Sequence, residues 1–379
     1  MITASDDTQI ISQWNVAKGN QELELIGHDT SIVDLQVTPD NKQLISLTSD
    51  GRLIEWKLDT LPARKAFIGH RDEIDDIAVS QDGRLVATGA RDRTVKLWDA
   101  HSGEILIDQS LKGFGVHAVA ISSDGRYLAA GSDTVCIWDL TSRELLREIP
   151  LHPAGGVIEF GVRTLCFTPD CQTLFVGLHR NAPDLEKSDG KIVAWNCKSW
   201  DVVPAWNKVL PEGIWAIEAS SDGKRLYTGG TSKMISIWNV QTAEKLKTLP
   251  HPGWVVTMTL SPDEKAIAAG FWILKGNDSQ SAPILVWNLT DHSLIKQLDG
   301  HNRGAFSVDF SPDGRRLISG GTSGDLCFWD TERWEPKAWM ELPLSGWVLA
   351  TKFSKDGKSL FVTSGSQSEQ SQMLRLTID

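Results

Sequence analysis

Residues able to do chemistry are plentiful in this 379-residue chain, but few share a spacing that chemistry would need. His152, Glu159 and His179 are the residue types of a zinc or iron site, two imidazoles and a carboxylate. They flank separate insertions, and no HExxH, phosphate loop, nucleophile elbow or paired-cysteine motif accompanies them. No metal, cofactor or catalytic residue is therefore assigned. Four of the nine histidines, His28, His70, His251 and His301, recur at one phase of a longer period, which suits a structural role. A second set, Asp75, His117 and Arg163, would make a ligand pocket if the fold brought the three together.

The elements that must position these residues are short strands. Tryptophan occurs 16 times against two tyrosines, and eight of the tryptophans close alternating apolar runs: Trp14, Trp56, Trp98, Trp138, Trp195, Trp238, Trp287 and Trp329. Neighbouring members are 40 to 57 residues apart. A Ser/Thr-x-Asp turn marks the same period at Asp40, Asp82, Asp124, Asp170, Asp222, Asp263, Asp313 and Asp356. Each unit reads as four strands, as in Ile74 to Ser80, Leu85 to Ala90, Thr94 to Asp99 and Glu104 to Ser110, with a hairpin at the Asp-Gly turn. A single four-stranded sheet cannot cover both its faces, so such units must pack on one another around an axis. The expected fold is all-β, an eight-bladed β-propeller of four-stranded antiparallel blades forming one domain over residues 1–379. The chain starts and stops inside a unit, so residues 1–26 are expected to close the ring with 343–379. Seven blades plus a terminal flap is the alternative.

These residues resemble the WD-repeat propeller family over essentially the whole chain. Gly27-His28, Ser46, Asp50 and Trp56 form one full unit, and Gly69-His70, Thr88, Asp92 and Trp98-Asp99 the next. The resemblance implies a hydrogen-bonded tetrad of His, Ser or Thr, Asp and Trp in each. A third unit keeps His301, Ser319 and Trp329, with Ser323 standing where the aspartate belongs. The resemblance further implies a binding face built from the loops entering the first strand and leaving the second. Carried over by phase, that face takes in Trp254, Trp347 and Arg91. One first-strand position changes chemistry from unit to unit: Val33, Asp75, His117, Arg163, Trp215, Val256, Phe306 and Leu349. Of these, Arg163 and Trp215 are types favoured as interface anchors. The insertion that starts at Phe271 and Trp272 is read either as a strand extension or as an apolar contact point.

Composition narrows the partners. A formal charge of −11 disfavours nucleic acid, five cysteines without a paired motif point to reduced thiols in the cytoplasm, and no apolar run is long enough to span a membrane. The expected function is a noncatalytic scaffold or recognition module for one or more proteins, a monomeric ring acting alone or within a complex. The alternatives are a recognition part of a larger regulatory protein or enzyme, and a small-molecule binder at the channel mouth.

Overall fold

The computed structural model describes residues 2–5, 10–15, 20–26, 32–37, 43–48, 53–57, 64–151, 160–180, 189–272, 283–301, 304–322, 324–341, 346–365 and 372–378. Seven four-stranded antiparallel blades form a propeller from residues 64–378. The first blade runs Ile74–Val79, Leu85–Ala90, Thr94–Asp99 and Ile105–Ser110. Five more follow, with first strands Ala118–Ile121, Phe160–Phe167, Ile214–Ala219, Trp254–Leu260 and Ala305–Phe310. The seventh consists of Trp347–Phe353, Ser359–Gly365, Gln372–Thr377 and, from the other end of the chain, Arg64–Ile68. First strands surround the axis, each against the next, and the seventh meets the first. Among the described residues the only helical element is the 3-10 turn Pro204–Trp206.

Local chemistry explains the blade. At every first hairpin a Ser or Thr hydroxyl donates to the aspartate two residues on, at 2.6 Å for Ser80 to Asp82 and 2.5 Å for Ser354 to Asp356. The next residue enters the left-handed region, which glycine tolerates best, as at Gly83 with φ 70°. Second and third strands are covered on both faces and read as continuous apolar runs such as LVATGA and TVKLWD. Fourth strands form the rim and are mostly exposed, as in Glu144–Pro150.

The tetrad is present in the first blade. His70 Nε2 lies 2.7 Å from Thr88 Oγ1, Trp98 Nε1 donates to the same hydroxyl at 2.8 Å, and His70 Nδ1 lies 3.1 Å from Asp92 Oδ2. Burial opposes ionisation of Asp92, but bonds from His70, Thr94 and the Arg71 amide outweigh it and hold the carboxyl well below its usual range. In the sixth blade His301 Nε2 and Trp329 Nε1 converge on Ser319 Oγ at 2.7 and 2.8 Å. Its carboxylate is not missing: Asp325, at the strand position held by Thr94 in the first blade, pairs with His301 Nδ1 at 2.8 Å. The acid has moved from the turn to the strand, which a search at the turn position overlooks. In the fifth blade Ala269 replaces the hydroxyl residue, Trp287 Nε1 has no hydrogen-bond partner among the described residues, and His251 Nε2 sits 3.4 Å from the Ala269 carbonyl. Packing holds that blade. His28 and Asp50 lie outside the described residues, as do the side chains of Ser46 and Trp56.

The ring has seven blades, the number held as the alternative to the eight expected first, and Arg64–Ile68 closes it by pairing with Gln372–Thr377. Residues 1–26 do not take that place. Three of the N-terminal strands, Ile2–Ser5, Ile10–Asn15 and Asn20–Ile26, make one three-stranded sheet, and Ile32–Val37, Gln43–Thr48 and Leu53–Lys57 make another. The physical reason is that every fourth strand is a similar amphipathic rim strand, so repeat markers do not say which one the C-terminal edge captures. Phe67 decides it: the ring lies edge-on to Trp98 at 5.8 Å and to Phe361 at 6.3 Å, welding the first blade to the seventh.

His179, which flanks an insertion in the sequence, belongs to strand Thr173–Arg180 and is 1% exposed. Burial first, and then the nearby Arg163 charge, push its pKa down to about 4; burial likewise takes His251 to about 4. Each imidazole is neutral in the fold and gains a proton more readily when unfolded, so stability falls as pH drops from about 6.5 towards 4. Lowering the pH from 7.5 to 5 should cost on the order of 1–2 kcal/mol per histidine. Urea unfolding at the two pH values checks this, and equal midpoints would refute it.

Candidate functional site at the channel mouth

The position whose chemistry varies between units is a β-bulge. In six of the seven blades the register slips after the first, second or third residue of the first strand, leaving Asp75, Arg163, Trp215, Val256, Phe306 or Leu349 without a partner across the ladder. In the second blade His117 stands immediately before its strand, its amide donating to the Gly131 carbonyl at 3.1 Å. An extra residue in one strand bends the backbone and re-aims a side chain. Here all seven side chains line one axial cavity of about 910 Å³. Val33 has the same bulge but lies in a separate N-terminal sheet.

The mouth has two chemically different halves. On the polar side, Asp75 Oδ2 lies 2.6 Å from His117 Nδ1 and Asp75 Oδ1 3.1 Å from Arg91 Nε, while Arg91 Nη1 reaches Glu73 Oε2 at 2.5 Å. Burial raises the Glu73 pKa, and the Arg91 charge works against that rise. On the aromatic side, Phe306 stacks on Trp347 with centroids 5.3 Å apart and planes 20° from parallel. Between the halves, the Arg163 guanidinium covers the Trp215 ring at 4.9 Å from its centroid. Trp215 is backed by His179 at 5.4 Å and Trp254 at 6.1 Å.

Deeper in the channel lies a charged belt that sequence reading missed. Asp76 accepts from the amides of Val119 and Ile77, both at 2.8 Å, and burial raises its pKa to about 7. Asp309 accepts from the Phe353 amide and from Lys352 Nζ, each at 2.8 Å. Burial opposes the charge on Lys352, but Asp309 and Glu218 outweigh it and raise its pKa. Burial also lifts Glu218 to about 6. The signal available in the sequence was a charged residue one to three positions past the varying one: Asp76 after Asp75, Glu218 after Trp215, Asp309 after Phe306 and Lys352 after Leu349.

The remaining candidates fall differently. Trp254 is 4% and Phe271 3% exposed, so both are packing residues; Phe271 lies 4.9 Å from the His251 ring. Phe271 and Trp272 extend strand Ala266–Trp272, and the Trp272 side chain lies outside the described residues. Trp347 is 38% exposed and stands at the rim. His152 and Glu159 are outside the described residues; among those described, no group of three or more His, Cys, Asp or Glu could hold a metal. All five cysteines are free, and no described helix is long and apolar enough to cross a membrane.

Seven radial four-stranded blades around a channel lined largely by bulge residues define a β-propeller. The repeat family described as "WD domain, G-beta repeat" matches residues 62–99, 107–139, 208–239 and 292–330, and these matches together with the seven-bladed ring support a WD-repeat propeller. It is 23% identical over 338 residues to Autophagy-related protein 16 of Arabidopsis thaliana, covering 87% of this chain and 53% of that protein. It is 27% identical over 311 residues to Serine-threonine kinase receptor-associated protein of Gallus gallus, covering 80% and 81%. A match to human Apoptotic protease-activating factor 1 is 30% identical over 182 residues, 46% of this chain and 14% of that protein.

Proposed function

We propose that this chain is a noncatalytic scaffold that captures partner proteins at the channel mouth. One observation carries the reading: the blades repeat, yet the seven equivalent residues, six on bulges and His117 just before its strand, vary in chemistry and converge on a single cavity. A scaffold that only had to hold itself together would need no such divergence along a half-buried channel wall, and aromatic residues beside an arginine suit an interface centre. A relative named for association with a receptor supports a role in protein assembly. The ring works as a monomer in the cytoplasm, consistent with its free thiols.

The test is co-purification. Tagged full-length chain and a Phe306→Ala/Trp347→Ala variant are recovered from cells and the bound proteins quantified by mass spectrometry. The variant should lose at least one major partner by about ten-fold, the usual effect of removing interface hot spots, with little change in melting temperature. Unchanged recovery of every partner would reject docking at the mouth.

A further inference from the structure

Among the described residues of the mouth, Arg163 is the charged group whose bonding is incomplete, and Trp215 Nε1 beside it also lacks a hydrogen-bond partner. The Arg163 guanidinium is half-buried, faces the cavity and makes no hydrogen bond or ion pair among the described residues; its sole contact of that kind is the Trp215 ring. Five N–H donors are thus presented at the boundary between the polar and aromatic halves. The nearest acid, Asp75, is already bonded to His117 and Arg91. A planar fork of donors with one face fixed on an indole matches a carboxylate, which takes two parallel bonds.

Resting on the docking function above, we propose that the mouth receives a single aspartate or glutamate side chain of a partner segment, bound by Arg163, with an adjacent apolar side chain against Trp215 and Phe306. The same geometry argues against other guests. Asp75 stands close enough to act on Arg163 and Glu218 lines the cavity below, so a phosphate dianion or an acidic run meets repulsion that one carboxylate meets less. A lysine would meet Arg163 itself and, deeper, Lys352. The net charge of −11 likewise favours a partner that is not acidic beyond that one residue.

Four pools of fluorescein-labelled nonapeptides, with randomised neutral flanks and a fixed centre of Glu, Gln, phosphoserine or Lys, are titrated with full-length protein and followed by anisotropy. The Glu pool should bind about ten-fold or more above the Gln pool. Arg163→Gln should bring the two within about two-fold, Arg163→Lys should keep part of the difference, and Asp75→Asn should strengthen Glu binding about two- to five-fold by removing a like charge. The lysine variant serves if the glutamine variant melts early. A phosphoserine or Lys pool binding as well as Glu, a Glu preference that survives Arg163→Gln and Arg163→Lys, or no binding by any pool overturns the proposal. If that happens while partners still depend on Phe306 and Trp347, docking at the mouth stands and only its carboxylate anchor is wrong. Partners indifferent to every mouth variant remove both.

Discussion

A chain lacking residues 1–61 is expected to unfold in one cooperative transition close to that of the full chain, whereas removing residues 1–68 is expected to destroy the fold. All seven blades and the closing strand lie within residues 64–378. Loss of Arg64–Ile68 strips five paired positions from Gln372–Thr377 and leaves a bare sheet edge. It also removes Phe67 from between Trp98 and Phe361; truncating a buried phenylalanine alone costs about 3–5 kcal/mol. The contact of Arg375 Nη1 with the Ala100 carbonyl, 3.0 Å across the same seam, would lose its support. Thermal unfolding with size-exclusion chromatography decides the matter. Collapse of the shorter deletion would show that the N-terminal strands are needed for closure and would refute the seven-bladed ring.

Gly230→Ala is expected to cost about 3–5 kcal/mol, at the upper end for overpacking. A Cβ at Gly230 would stand 1.8 Å from the Gly213 carbonyl oxygen, a backbone atom that cannot rotate aside. Nor can Gly213 retreat, because its own Cβ position lies 2.0 Å from His179 Nδ1. The segment so wedged leads directly into Trp215, so the variant should also weaken partner binding. Gly223→Ala is the control: nothing lies within 4 Å of its Cβ position, and only the left-handed φ of 67° penalises alanine, by about 1 kcal/mol. Similar urea midpoints for the two variants would disprove the close approach.

Much of the blade was legible before any coordinates. The alternating runs, the Ser/Thr-x-Asp turns and the His70, Thr88, Asp92 and Trp98 set are all written within about thirty residues of one another, and strand periodicity and turn chemistry act at that range. The candidate site was legible in part. Asp75, His117, Arg163, Trp215 and Phe306 stand out because they differ in a repeating frame. Trp254 and Phe271 stand out equally, yet they are buried, since an aromatic side chain reads the same in a core as at a rim. Trp206, another tryptophan outside the repeat, is a core wedge whose Nε1 donates to the Val240 carbonyl at 2.7 Å.

By itself the sequence determined the strands, their turns and the repeat, because these follow from neighbours along the chain. Three matters were decided only in the tertiary structure. Which rim strand closes the ring is a competition between similar strands for one distant edge. Whether Asp325 can stand in for a turn aspartate depends on where its strand position lies relative to His301. The convergence of seven side chains of varied chemistry on one cavity rests in six blades on bulges, which are mismatches of register between paired strands and have no meaning until the pairing exists.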